Sequence, residues 1–536
     1  MKILSAAEMR EVDRLTAERY GVPSLLLMEN AAARTVEATE EKFGDTADKR
    51  ALIICGRGNN GGDGAAIARL LHDKGASVDV LLLGRVEDAK GDARTNFEAA
   101  LDIAAKAGAR LRFVEIETPE QFWAEATAYP PALFFDAIFG TGLTRPASGL
   151  FEEAIHLLND HTNDSPVISV DIPSGLASDS RELIGPAVKA DLTVTFTAPK
   201  LAAILPPAAD LCGELVIASI GSPEELVNSS GSRLNLVEPG DVEQWLAAAR
   251  RNRHANKGDV GKVLVVAGSR GKTGAACLAG EAALRGGCGL VTIATAESSQ
   301  PIVASRVIPE CMTEPLVETR AGSVAREAAA RVIELAAERD VLAIGPGLGS
   351  TDKSTRAFMR AVAVKRQRPM VIDADGLNSL APWARNLRGS AELPIILTPH
   401  PGEMARLIAK PIAEVLKNPV DVARSFAVNF GLILVLKGSP TVIAAPDGQV
   451  YVNATGNAGM ATGGTGDVLT GMIASFVAQK LDDPLSATIA AVYLHGHGGD
   501  IAASRLGTRA MIASDITAHL GEAFISAGGD AERPAR

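Results

Sequence analysis

Two α/β domains, each a parallel sheet packed between helices, are predicted by three features of this 536-residue sequence. Apolar β-rich runs alternate with Ala-rich amphipathic stretches along the whole chain, which is the pattern of successive βα units. The length exceeds what one hydrophobic core of ordinary size accommodates. Turn-forming residues also crowd between 221 and 241, where Ser222-Pro223, Ser229-Ser230-Gly231-Ser232 and Pro239-Gly240 follow the apolar run 215–220. Such crowding marks a break in regular structure, so a seam is expected near residue 230. No repeat in the solenoid range relates the two halves. Strands are expected at 51–55, 78–83, 133–135, 167–170, 263–267, 341–344, 370–372, 395–397 and 432–436.

Composition narrows the function classes. Hydrophobic residues make up 47% and charged residues 22%, a globular balance with little room for extended disorder. The net charge of −11 argues against a nucleic-acid partner, because neutralising a phosphate backbone needs clustered Lys and Arg. Small anions held by backbone N–H groups stay open. The five cysteines are scattered without a C-x-x-C pair, so neither a disulfide framework nor a zinc site is suggested and a reducing compartment is expected. The start reaches Glu8 before any apolar core of signal-peptide length, and no later run approaches a membrane span. A cytoplasmic location without membrane partners, and a homo-oligomer, are expected.

In the N-terminal half, the strand at 51–55 runs into Gly56-Arg57-Gly58-Asn59-Asn60-Gly61-Gly62-Asp63-Gly64 and then a helical stretch. A glycine-dense strand-to-helix turn exposes backbone N–H groups at a helix start, which suits phosphate; a tight turn needing positive φ is the alternative. The spacing is not a dinucleotide G-x-G-x-x-G fingerprint, because polar Asn59 and Asn60 occupy the crowded turn. Two further strands end in a carboxylate, Asp136 ahead of Gly140-Thr141-Gly142-Leu143 and Asp171 ahead of Ile172-Pro173-Ser174-Gly175. Strand C-termini of a parallel sheet converge on one crevice, so Asp136, Asp171 and the Asn59-Asn60 loop would meet there. Either Asp alone could instead cap the helix that follows it.

The combination of Asn59 to Gly64, Asp136-x-x-x-Gly140-Thr141-Gly142 and Asp171-Ile172-Pro173-Ser174-Gly175 closely resembles the NAD(P)H-hydrate epimerase family. Leu27-Met28-Glu29-Asn30-Ala31-Ala32 also fits, with Ala32 where Gly is commoner. The resemblance implies a Rossmann-like three-layer domain over residues 1–225. It implies that Asn59, Asn60, Gly61, Gly62 and Asp63, with Gly140, Thr141, Gly142, Leu143, Thr144, Arg145 and Pro146, hold the hydrated nicotinamide nucleotide. Asn60, Asp136 and Ser174 would contribute to a potassium (K+) site, and Asp171 would sit at the substrate. Asp171 is then expected as the acid/base group, because interconverting epimers at C6 of the hydrated ring requires proton movement near that carbon.

In the C-terminal half, Gly268-Ser269-Arg270-Gly271-Lys272-Thr273-Gly274 follows a strand and mimics a Walker A loop, but Val266 stands where that motif needs glycine. A glycine-rich turn that contacts substrate is the reading. Gly345-Pro346-Gly347-Leu348-Gly349, Asp373-Ala374-Asp375-Gly376-Leu377-Asn378 and Thr398-Pro399-His400-Pro401-Gly402-Glu403 each follow a strand and are expected to line one rim. His400 lies between prolines that aim its imidazole, although a lone His is often structural. The strongest local signal is Gly463-Gly464-Thr465-Gly466-Asp467. It offers backbone amides at a helix start for phosphoryl oxygens and a carboxylate to accept a proton from an attacking hydroxyl; a helix-capping Asp is the alternative. Lys437-Gly438-Ser439-Pro440-Thr441, after another strand, is placed to grip a nucleotide.

This loop resembles the ribokinase-like superfamily. With the motifs at 345–349, 373–378, 398–403 and 453–459 it is similar to ADP/ATP-dependent NAD(P)H-hydrate dehydratase, so that the chain resembles the bifunctional NAD(P)H-hydrate repair enzymes as a whole. The resemblance implies a ribokinase-like domain at 251–530 beyond a linker at 226–250, with NADHX, NADPHX and ADP as small-molecule substrates. Ala275, Gly349, His400 and Asp467 match substrate-binding positions, and Lys437, Gly438, Ser439, Pro440, Thr441 and Gly466 match nucleotide-binding ones. ADP would phosphorylate the C6 hydroxyl of the S epimer, Asp467 acting as general base and magnesium (Mg2+) neutralising phosphate charge, and elimination would restore the ring. Ala458 departs from the pattern, in which Pro often follows Asn. His495 and His497, at i and i+2 of a helical stretch, face apart and are not read as metal ligands. A kinase of a stable alcohol is the nearest alternative function, and a non-catalytic nucleotide-binding scaffold the next.

Overall fold

A computed structural model describes residues 1–106, 108, 110–160 and 165–528. The chain divides into two compact units, Met1–Ser232 and Arg233–Arg536.

The first unit is built on seven strands: β1 (Arg50–Cys55), β2 (Ser77–Leu83), β3 (Leu111–Ile116), β4 (Leu133–Ala137), β5 (Val167–Val170), β6 (Leu192–Phe196) and β7 (Glu214–Ala218). Their order is β3-β2-β1-β4-β5-β6-β7 and every pairing is parallel. The apolar runs dictate this arrangement, because a strand buried on both faces cannot alternate with polar residues. Ile53, Phe135 and Ile168 pack into the core on one face of the sheet, and Leu52, Ile54, Phe134 and Val167 into the core on the other. The chain reverses its direction of growth between β1 and β4. Loops leaving the C-terminal ends of two strands at such a switch point part from each other and open a crevice.

The second unit holds ten strands: β8 (Leu234–Leu236), β9 (Lys262–Val266), β10 (Leu290–Ala296), β11 (Met312–Leu316), β12 (Val341–Ile344), β13 (Met370–Ile372), β14 (Ile395–Leu397), β15 (Ile433–Leu436), β16 (Thr441–Ala444) and β17 (Val450–Asn453). Their order is β11-β10-β9-β12-β13-β14-β15-β16-β17-β8, with the switch between β9 and β12. The sheet is not parallel throughout. β16 runs antiparallel to both β15 and β17. Only residues 437–440 join β15 to β16, too few for the crossover helix that a parallel neighbour needs.

The stretch 226–250, expected as a linker, is structured instead. β8 pairs in parallel with β17, and the helix Pro239–Ala248 places Trp245 flat against Phe476, ring centroids 4.2 Å apart. Gly, Ser and Pro mark a local break in the backbone, but Val237, Val242 and Trp245 carry enough apolar surface to join the second core. No helix among the described residues is long and apolar enough to cross a membrane.

Candidate active sites

In the first unit the turn after β1 is held by close backbone approach. A Cβ at Gly61 would lie 1.8 Å from the Gly56 carbonyl oxygen, so no other residue fits without moving the turn. The helix Asn59–Asp73 therefore starts immediately over the strand end, with Asn60 buried at its first turn. Gly61→Ala is expected to destabilise this unit by about 1–3 kcal/mol through overpacking. Scanning calorimetry would show it as one unfolding transition moving down while the other stays; two unmoved transitions would contradict it.

A cleft of about 840 Å³ opens over these strand ends, lined among others by Asn59, Asn60, Asp63, the run Gly140 to Pro146, and Asp171. Gly61 and Gly62 are not part of its wall; Gly62 instead packs against Ala93 and Met28. Asp136 is fully buried. Its Oδ1 accepts from the Ser174 hydroxyl at 2.5 Å, and its Oδ2 from Ser174 N–H and the Ser169 hydroxyl, both at 2.8 Å. Burial raises its pKa, and these donors oppose the rise. The Phe139 N–H in turn donates to the Ser174 Oγ at 2.8 Å, fixing the start of the next loop. Asp136, in β4, and Ser174, in the loop after β5, thus meet. Asn60 is different: among the described residues neither its Oδ1 nor its Nδ2 has a hydrogen-bond partner.

Asp171 follows β5 with φ +68, a left-handed conformation that Asp tolerates better than most residues. A Cβ at Gly140 would lie 3.4 Å from Asp171 Oδ2 and 3.5 Å from Asn60 Oδ1, so both side chains flank one small residue. Asp171 Oδ1 accepts from the Lys200 ammonium at 2.5 Å and from the Thr195 hydroxyl at 3.2 Å. Lys200 is only 1% exposed, and its other donors reach Thr195 Oγ1 and Phe196 O. Burial raises the Asp63 pKa, the charges of Asp171 and Asp13 add to the rise, and Lys200 opposes it. Sequence reasoning missed Lys200 and Asp13. Lys200 has no motif beyond following β6, and Asp13 lies on a helix ahead of the first strand, where nothing in the local pattern sets it apart.

In the second unit a pocket of about 560 Å³ is lined by Lys272, Ala275, Asp375, Glu403, Gly463, Gly464 and Asp467, among others. The helix Thr465–Gln479 begins at Gly464, whose φ of +97 favours glycine. Asp467 sits in the first turn. Burial, and then the charge of Asp373, push its carboxyl up to about 7, with Lys437 opposing. The Lys437 ammonium donates to Asp373 Oδ1 at 2.7 Å and lies 4.0 Å from Glu403; burial favours its neutral form, but the two carboxylates outweigh that and raise its pKa. Thr470 donates to the other Asp373 oxygen at 2.8 Å. A Cβ at Gly466 would lie 3.3 Å from Lys437 Nζ, so the helix start rests directly on this ion pair.

The remaining expected positions fall unevenly. Gly349 N–H donates to Asp375 at 2.9 Å, and Asp375 also accepts from Lys272 Nζ at 2.9 Å and the Ser350 hydroxyl at 2.8 Å. Burial would raise the Asp375 pKa, but these donors lower it below the ordinary value. Lys272 is therefore tied to a carboxylate. His400 is half-exposed and caps the helix Pro401–Ile408, its Nδ1 accepting from Gly402 N–H at 3.0 Å, with Nε2 3.5 Å from Glu403. Thr441 Oγ1 donates back to Gly438 O, closing the tight turn through Ser439 and Pro440. His495 and His497 part as their spacing requires: His497 meets Ser526, while His495 Nε2 donates to Thr465 O at 2.9 Å and braces the helix start. Burial lowers the His495 pKa to about 4 and keeps it neutral. Asp373, Asp375, Lys272 and Glu403 were visible as motif members, but their pairings were not.

Known proteins match both units. The family model described as YjeF-related protein N-terminus matches residues 24–202, and the model described as NAD(P)H-hydrate dehydratase matches residues 263–521. The bifunctional NAD(P)H-hydrate repair enzyme Nnr of Moorella thermoacetica is 46% identical over 517 residues, covering 96% of this chain and 95% of that protein. Its Escherichia coli counterpart is 35% identical over 519 residues, covering 95% and 92%. The crystal structure of ADP/ATP-dependent NAD(P)H-hydrate dehydratase from Bacillus subtilis, co-crystallized with ATP/Mg2+, matches 55% of this chain and 98% of that one at 32% identity and a TM-score of 0.48. By identity over nearly its whole length, the chain belongs to the family of bifunctional NAD(P)H-hydrate repair enzymes.

Proposed function

We propose that the chain restores hydrated NADH and NADPH: its first unit interconverts the R and S epimers, and its second dehydrates the S epimer with ADP, giving AMP and phosphate. The observation that carries this reading is the repetition of one device. Each unit opens a cleft where its strand order reverses, and each sets a carboxylate–lysine pair in its wall, Asp171–Lys200 in one and Asp375–Lys272 in the other. Asn59 to Asp63 and Gly140 to Pro146 would hold the hydrated nucleotide in the first cleft. In the second, Ala275, Gly349, His400 and Asp467 would serve the hydrated ring, and Lys437 to Thr441 with Gly466 the phosphate donor.

Asp467 is suited to take the proton from the C6 hydroxyl as its oxygen attacks the terminal phosphorus of ADP. A carboxyl with a pKa of about 7 is half ionised at neutral pH and still basic enough to accept it. The backbone N–H groups at the start of Thr465–Gln479 would bear the charge on the transferring phosphoryl oxygens. The phosphate then leaves C6 with the bonding pair while the ring gives up a C5 proton, which restores the dihydronicotinamide. Asp375 and Asp467 in the pocket wall fit Mg2+ bound mainly through nucleotide phosphates, where it would neutralise their charge. Asn60 lines the first cleft and its unpartnered Oδ1, with the buried Asp136 and Ser174 behind the wall, would suit a hard monovalent cation such as K+, which would offset the local carboxylate charge.

Incubating the protein with ADP, Mg2+ and a mixture of hydrated NADH epimers tests the reading. Absorbance of reduced nicotinamide should return for the whole mixture, with one AMP and one phosphate formed per ring restored. Phosphorylation of a stable sugar or vitamin alcohol, with the hydrate untouched, would mean a kinase instead. Running ATP in parallel decides the donor.

A further inference from the structure

We propose that Asp13, which reaches the epimerase cleft from the helix Ala6–Tyr20, is a second proton-transferring group of that site and works together with the Asp171–Lys200 pair; this rests on the epimerase reading above. Asp13, Asp171 and Lys200 line the same cleft. Asp13 Oδ1 is sealed from solvent and has no hydrogen-bond partner among the described residues. A buried carboxylate oxygen left unsatisfied costs stability, and such groups persist where function requires them. Lys200 is close enough to act on Asp13 electrostatically but has no donor to spare, since its three reach Asp171, Thr195 and Phe196.

The charged groups facing Asp13 are Lys200 and Asp171 at the strand ends, Asp63 from the helix Asn59–Asp73, and Arg10 on its own helix. Burial raises the Asp13 carboxyl to about 6, with Asp171 adding to the rise and Lys200 opposing it. Asp171 is paired with the Lys200 ammonium at 2.5 Å. The cleft therefore holds a carboxyl whose Oδ1 has no hydrogen-bond partner among the described residues beside one paired with an ammonium.

Inverting the C6 carbinol uses that difference. The protonated carboxyl gives its proton to the C6 hydroxyl, the C6–O bond breaks with its electron pair leaving on water, and the N1 lone pair forms an N1–C6 double bond. Water then adds to C6 from the other face, the double-bond pair returns to N1, and the extra proton of that water passes to the other carboxylate. One inversion moves one proton from one Asp to the other, and the opposite inversion moves it back, so neither epimer needs an outside reagent.

The test measures R-to-S interconversion by chromatography on the full-length protein with Asp13→Asn and Asp13→Glu. Asp13→Asn is expected to lower kcat for epimerisation by at least about 100-fold, to erase the inflection near pH 6 in the pH profile, and to leave dehydration of the S epimer unchanged. Asp13→Glu should recover activity to within about tenfold with a displaced inflection. Should the asparagine variant unfold, the glutamate variant alone decides, because an unmoved inflection overturns the proposal. An asparagine variant with kcat within about threefold and the original pH profile overturns it as well. Wild-type protein that fails to epimerise would instead sink the reading on which the proposal rests.

Discussion

Replacing Asp467 by Asn is expected to lower dehydration by about 10²- to 10⁴-fold while leaving epimerisation within about twofold. Asn keeps the volume and one hydrogen-bonding oxygen but cannot accept the hydroxyl proton. Its effect should therefore fall on kcat and spare binding of ADP. The same carboxyl sets the pH response of the unaltered protein. With its pKa raised to about 7 it must be deprotonated to act, so kcat/KM for dehydration should fall about tenfold per unit as pH drops below that value. The stability effect has the opposite sign. An acid whose pKa is raised on folding favours the folded state at low pH, and that advantage is lost as pH rises from the unfolded value near 4 through 7. At pH 8 the lost advantage is on the order of 4 kcal/mol, at about 1.4 kcal/mol per unit. Asp467→Asn should then unfold at a temperature no lower than wild type at pH 8. Loss of both activities in a folded variant would contradict the separation of the two sites.

What could be read before the structure was what a strand end and the residues after it encode locally. The apolar runs located β1, β5, β12, β13 and β14 to within a residue at either end, because strands buried on both faces leave no polar interruptions. Asn60 and Asp467 stood out because they sit in glycine-dense strand-to-helix turns, Asp136 and Asp171 because each ends a strand with a carboxylate, and Ser174 only through the family resemblance. Pairings that depend on strand order were not. The partner of Asp171 arrives 29 residues later, after β6, and the partner of Lys437 precedes it by 64, after β13. A local window contains neither. His400 shows the converse: two prolines made it conspicuous, and their effect is to let the ring cap its own helix. The parallel rule also failed at the edge of the second sheet, where a four-residue connection overrode a pattern that held for the strands before it.

Asp171→Asn is expected to reduce epimerisation by about 10²- to 10⁴-fold with dehydration of S-configured hydrate retained. The substitution suits the backbone, since Asn accepts the left-handed φ of +68 at this position as readily as Asp. It does not suit Lys200. That ammonium is buried and would lose the carboxylate 2.5 Å away, keeping only Thr195 Oγ1, Phe196 O and the new amide oxygen. Breaking a buried ion pair from one side costs about 3–5 kcal/mol. The first unit should accordingly unfold at a lower temperature yet remain folded at 25 °C, within the usual reserve of a domain of this size. Two measurements separate chemistry from damage. Asp171→Asn paired with Lys200→Met removes the stranded charge and should recover thermal stability without recovering epimerisation. If the single variant interconverts the epimers at near the wild-type rate, Asp171 does not carry the proton, whatever its contacts.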